Sequence, residues 1–129
     1  MNRRTILLVD DSPTILMMEK FALAKCGYEL LSAVNGEEAI EWAVARTPDL
    51  ILLDVVMPKM GGLEACRRLR ALPETAHIPI LMVTTRGEPE NVEAGWESGC
   101  NDYITKPIDT MELLLKVRSL LAVSEQETA

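Results

Sequence analysis

Ile6-Leu7-Leu8-Val9-Asp10-Asp11-Ser12-Pro13 sets a strand, a charged turn and a helix start within eight residues. Its first four residues are apolar without alternation, as in a strand of a parallel sheet covered by helices on both faces. Two carboxylates end the run, and Ser12-Pro13 offers a side-chain N-cap followed by proline at the first helical position, where its missing N–H costs nothing. The pattern returns at Leu50–Leu53 before Asp54 and at Ile80–Val83 before Thr84 and Thr85; shorter apolar runs stand at Leu30–Leu31 with Ala33 and at Tyr103–Ile104. Each gap holds a stretch with helical spacing, so the chain reads as five β–α units of an α/β domain. Asn35 and Asp109 each stand three residues before a glutamate, Glu38 and Glu112, which predicts two more capped helix starts. Leu113, Leu114, Val117, Leu120 and Leu121 form one apolar stripe of a last helix. Residues 124–129 beyond it are polar and are expected to fray.

With 129 residues the chain fits one domain, and 48% hydrophobic with 26% charged residues is an ordinary globular composition. No apolar run approaches the ~18 residues of a membrane span, and the N-terminus has no secretion signal, so a cytoplasmic protein without membrane contact is expected. The net charge of −7 disfavours direct contact with nucleic acid. Cys26, Cys66 and Cys100 are odd in number and have no C-x-x-C spacing, which excludes disulfide and zinc frameworks; each is read as a small buried hydrophobe. Trp42 and Trp96 are read as packing aromatics and His77 as a surface residue.

The strands of an open parallel sheet all point the same way, so residues that follow them gather at one edge, where such folds bind ligands. That edge receives Asp10 and Asp11 from the first strand, Asp54 from the third, Thr84 and Thr85 from the fourth and Lys106 from the fifth. Three carboxylates and one ammonium leave −2 there, from −3 and +1. Like charges raise one another's pKa. One divalent cation restores neutrality, and oxygen donors without His or Cys select Mg²⁺ over zinc or copper. Because Mg²⁺ is commonly held by one or two carboxylates plus phosphate oxygens, a phosphoryl group is implied, with one carboxylate available as nucleophile.

Ile6 to Ser12, then Leu52-Leu53-Asp54-Val55-Val56-Met57-Pro58 with Gly61-Gly62, Val83-Thr84, and Asp102-Tyr103-Ile104-Thr105-Lys106-Pro107 resemble the receiver domain of two-component response regulators. The likeness spans about residues 4–122, leaving 123–129 as a polar C-terminal tail. It implies a doubly wound, flavodoxin-like (βα)₅ sheet of order 2-1-3-4-5. Asp54 would take a phosphoryl group from the histidine of a sensor kinase or of a histidine phosphotransfer protein. The resemblance further implies that Asp11, Asp54 and the Val56 carbonyl coordinate Mg²⁺, with Asp10 helping through a water. Lys106 and Thr84 would contact phosphoryl oxygens. Phosphorylation would draw the Thr84 loop inward and let Tyr103 turn, remodelling the face of the fourth helix, fifth strand and fifth helix for an output domain or protein. A cis bond at Lys106-Pro107 is also implied.

Val56 and Arg86, each two residues past a key position, flank the expected path of hydrolytic water and are expected to shape phosphoryl lifetime. Met17-Met18 lies near the family's kinase-docking surface, although helix packing explains it equally well. Two rivals stand beside the signalling module, which acts chemically only on itself. A Mg²⁺-dependent aspartyl-phosphate phosphatase needs an acid/base Asp where Val56 stands, and a cap domain for which 129 residues leave little space. A phosphate-independent scaffold would have no use for the full set Asp10, Asp11, Asp54, Thr84 and Lys106.

Overall fold

The computed structural model describes residues 3–85 and 89–128. Arg86 lies outside the described residues. Strands and helices alternate throughout: β1 Thr5–Val9, α1 Pro13–Ala24, β2 Glu29–Ala33, α2 Gly36–Arg46, β3 Leu50–Asp54, α3 Gly62–Ala71, β4 Ile80–Thr85, α4 Pro89–Ser98, β5 Asp102–Lys106 and α5 Thr110–Thr128. All strand pairs are parallel, in the order β2-β1-β3-β4-β5. The expected doubly wound sheet is therefore the observed one.

The apolar runs without alternation are explained by a core on each face of the sheet. Leu7 and Val9, Ile51 and Leu53, and Ile80 and Met82 pack with α2 and α3 through Ala39, Ala43, Ala65, Cys66 and Leu69. Ile6 and Leu8, Leu50 and Leu52, Leu81 and Val83, and Ile104 pack on the other face with α1 and α5 through Leu16, Leu23, Leu113, Val117 and Leu121. Successive strand residues point to opposite faces, so each central strand serves both cores and has no position left for water.

Helix starts follow the side-chain logic of their first turns. Ser12 accepts from the Ile15 amide, Asn35 from Glu38 and Asp109 from Glu112. Glu38 reaches back to the Val34 amide, one residue before its N-cap.

Three expectations are corrected, and one open reading, that of Met17, is decided. Helix α5 continues to Thr128, so residues 124–128 are helical rather than a frayed tail. Cys26 is exposed just beyond α1, whereas Cys66 and Cys100 are buried as expected. Trp42 and Trp96 are 39% and 46% exposed. Their helices turn small residues inward, Ala39 and Ala43 from α2 and Gly95 from α4, which leaves the indoles at the surface. Met17 is exposed too, at 66%, because the buried stripe of α1 is Leu16, Glu19, Ala22 and Leu23.

Candidate phosphoacceptor site

Strand register builds the site. Val9 pairs with Leu53, which puts Asp10 level with Asp54; Asp54 pairs with Val83, one residue before Thr84; Thr85 pairs with Lys106. Segments 44 residues apart in sequence thus deliver Asp10 and Asp54 side by side. One carboxylate oxygen from each of Asp10, Asp11 and Asp54 lies within 4.8 Å of the others. Asp10 and Asp54 are buried and Asp11 is exposed, so the cluster opens to solvent on the Asp11 side.

Local structure orients each group. Asp10 continues β1 by donating its amide to the Ala33 carbonyl, and its Oδ1 accepts from the Ser12 amide at 2.9 Å. Its Oδ2 is held in an ion pair, 3.1 Å from Lys106 Nζ, but has no directed hydrogen bond. Lys106 Nζ also lies 3.4 Å from Asp54 Oδ1. After Asp54 the chain turns sharply, with Val55 donating to Val83 and Gly62 donating to Val55. Gly62 brings the start of α3 against the Asp54 backbone so closely that a Cβ there would overlap the Asp54 carbonyl oxygen and lie 2.9 Å from its carbon. The phosphoacceptor candidate is therefore clamped from behind by a residue that must lack a side chain.

The electrostatics match a pocket built for a cation. Burial, then the neighbouring Asp10, pushes the Asp54 carboxyl up to about 6, against the opposing pull of Lys106. Burial works against the Lys106 ammonium, but its contacts with Asp10 and Asp54 outweigh it and hold that pKa above the ordinary lysine range. A low-dielectric site with one lysine among three aspartates is short of positive charge.

The remaining candidates sit around this centre. Thr84 is buried near the end of β4, and its hydroxyl has no hydrogen-bond partner among the described residues. Val56 is 64% exposed in the turn after β3. Tyr103 packs half-buried against the α2–α3 core rather than among the carboxylates. Its ring meets Trp96 edge-on at 6.0 Å, and Lys116 Nζ lies 5.2 Å above it while donating to the Tyr103 carbonyl at 2.6 Å. The Lys106-Pro107 bond is cis. His77 is exposed, as expected.

One buried acid near the centre belongs to none of the sequence motifs. Glu19 is 1% exposed on the inner face of α1, with Oε1 unpartnered. The available signal was a carboxylate three residues after Leu16 and four before Leu23, inside an otherwise apolar stripe. Gly62 was visible only as part of a motif, because its need is set by the Asp54 carbonyl.

Comparison with known proteins agrees with this geometry. The chain is 45% identical over 118 residues to the phosphate regulon transcriptional regulatory protein PhoB of Pseudomonas aeruginosa, covering 92% of this chain and 52% of PhoB. It thus spans about half the length of several curated relatives it matches. Protein PilH of the same organism is 39% identical over 117 residues, covering 91% of this chain and 97% of PilH. The crystal structure of the chemotaxis response regulator CheY4 of Vibrio cholerae superposes with a TM-score of 0.86 at 34% identity, covering 92% of this chain and 99% of that one. The family model of the response regulator receiver domain matches residues 6–118. A parallel sheet that gathers an aspartate cluster, a lysine and a threonine at one edge is thus found in a chain that belongs to the response regulator receiver domain family.

Proposed function

We propose that Asp54 is the phosphoacceptor of this receiver domain, taking the phosphoryl group from a phosphohistidine of a sensor kinase or histidine phosphotransfer protein. The observation that carries this reading is the convergence of Asp10, Asp11 and Asp54 within 4.8 Å beside Lys106. In the transfer an Asp54 carboxylate oxygen forms the new O–P bond while the N–P bond breaks, its electron pair staying on the histidine nitrogen. Such a reaction needs mainly positioning and neutralisation of oxygens. Lys106 would pair with a phosphoryl oxygen, and the Thr84 hydroxyl, without a partner among the described residues, would donate to another.

The pocket suits Mg²⁺: its donors are all oxygen, it is short of positive charge, and buried Asp10 Oδ2 has no directed hydrogen bond. Asp10, Asp11 and Asp54 would hold the ion, together with the Val56 carbonyl. When bound, the ion would neutralise charge on carboxylate and phosphoryl oxygens.

The reading extends to residues 4–122 as the receiver unit. Its chemistry is confined to its own phosphorylation and dephosphorylation. Tyr103, on the face of α4, β5 and α5, would report the state of Thr84 to an output domain or protein. The exposed Met17 and Phe21 on α1 suit docking of the kinase or phosphotransfer protein. Among the described residues no helix is long and apolar enough to cross a membrane, and a cytoplasmic site of action without nucleic-acid contact fits the net charge of −7.

Incubation with acetyl phosphate tests the reading: Mg²⁺-dependent labelling should stop at about one phosphoryl per chain and vanish in Asp54→Asn. Steady turnover of a generic phosphomonoester would instead favour a phosphatase.

A further inference from the structure

Asp10 and Asp54 are buried carboxylates with a lysine beside them; Glu19 is buried as fully, in the apolar stripe of α1, and among the described residues no lysine or arginine forms an ion pair with it. It occupies the inner stripe of α1 between Leu16 and Leu23. Strand alternation puts Asp10, Asp54 and Lys106 on the same side of the sheet as α1, continuing Leu8, Leu52 and Ile104. A lone carboxylate in such a place carries a large desolvation cost unless it is paired or takes up a proton. Among the described residues Glu19 Oε1 has no hydrogen-bond partner.

We propose that Glu19 is the proton-carrying companion of the metal pocket: a divalent cation entering among Asp10, Asp11 and Asp54 releases the Glu19 proton to solvent, so metal affinity rises with pH. The inference rests on the Mg²⁺ reading of the pocket and adds a positioning residue outside the aspartate cluster. Burial first, then the negative charge of Asp10, pushes the Glu19 carboxyl up to about 8, with Lys106 pulling it down and Asp54 adding to the rise. Helix α1 packs against β1, β2 and α5. The charged group acting on Glu19 from β1 is Asp10, whereas β2 and α5 supply Leu30, Leu113 and Val117 to the same apolar cluster; Asp54 and Lys106 act from the ends of β3 and β5. A cation placed among the aspartates reverses the field that keeps the proton on Glu19. By linkage, the ionised Glu19 then favours the cation by the same factor.

Titration calorimetry of MgCl₂ into the metal-free full chain, at pH 7.5 in two buffers of different ionisation enthalpy, counts the protons released. At that pH Asp54 is already ionised, and Lys106 stays charged. Wild type should release roughly half a proton, and Glu19→Gln close to none; between pH 6.5 and 9 the Mg²⁺ affinity of wild type should rise about three- to tenfold more than that of the variant. Glu19→Leu, which completes the apolar stripe, serves as a second variant and should behave like Glu19→Gln. Equal proton release by wild type and both variants would overturn the proposal while leaving the metal site intact. Failure of wild type to bind Mg²⁺ would overturn the metal reading and this inference with it.

Discussion

Replacing Asp54 by asparagine should stabilise the metal-free protein, and the gain should depend on pH in a defined way. In the fold the Asp54 carboxyl lies at about 6 against an ordinary 3.8, first because it is buried and then because Asp10 stands beside it. At ~1.4 kcal/mol per pH unit, that difference corresponds to about 3 kcal/mol of native-state cost once the group is ionised in both states. Between pH 3.8 and 6 the native protein binds more protons than the unfolded chain, so stability falls as pH rises through this window. The full cost is present above it. An asparagine side chain has no charge to desolvate, but its amide is also buried and leaves Lys106 with Asp10 alone, so a net gain of about 1–3 kcal/mol is expected at pH 7.5. Urea denaturation of both proteins in EDTA, from pH 5 to 8, measures it. The gap should widen with pH through the Asp54 window and flatten near pH 7, with a smaller further change above it from Glu19, whose carboxyl Asp54 helps to hold up. In excess Mg²⁺ the wild type should recover, since ligand at 100-fold its Kd adds about 2.7 kcal/mol to a protein that binds it. A variant less stable than wild type at every pH, or a gap that does not change with pH, would refute the electrostatic reasoning.

Gly62→Ala should cost about 1–3 kcal/mol, because the new Cβ overlaps the Asp54 carbonyl oxygen; it should also slow acetyl phosphate labelling, and unchanged urea midpoint and labelling rate would contradict the clamp. Lys106→Ala should destabilise the metal-free protein by about 2 kcal/mol at pH 8 and by less at pH 5, where Asp54 takes up a proton, as thermal melts at the two pH values would reveal. Thr84→Val removes a buried hydroxyl that has no partner, so stability should hold or rise by up to ~1 kcal/mol. The same variant should still label on Asp54 but lose any phosphorylation-linked change in Trp96 emission. A marked drop in its melting temperature would mean that the hydroxyl is already bonded.

Ile6–Val9 and Leu50–Leu53 could be read as central strands because a strand buried on both faces leaves no polar position, a property of composition that needs no coordinates. The caps Ser12, Asn35 and Asp109 were equally legible, since each acts within one turn of its own chain. Parallel direction implied that Asp10, Asp11, Asp54, Thr84 and Lys106 share an edge, and the sheet order came from likeness to a family. What Trp42, Trp96 and Cys26 do was not legible: a helical residue is buried or exposed according to where its neighbours place the helix, and here Ala39, Ala43 and Gly95 turn inward.

Local and periodic information in the chain determined the βα alternation, the helix starts and the edge at which chemistry gathers, because those depend on near neighbours and on strand direction. Only the tertiary structure decided that Lys106 spans Asp10 and Asp54, that the Asp54 carbonyl demands glycine at 62, and that Glu19 is buried with Oε1 unpartnered among the described residues. Each of these depends on strand register and helix placement between segments far apart in sequence, and on the loss of water that packing imposes.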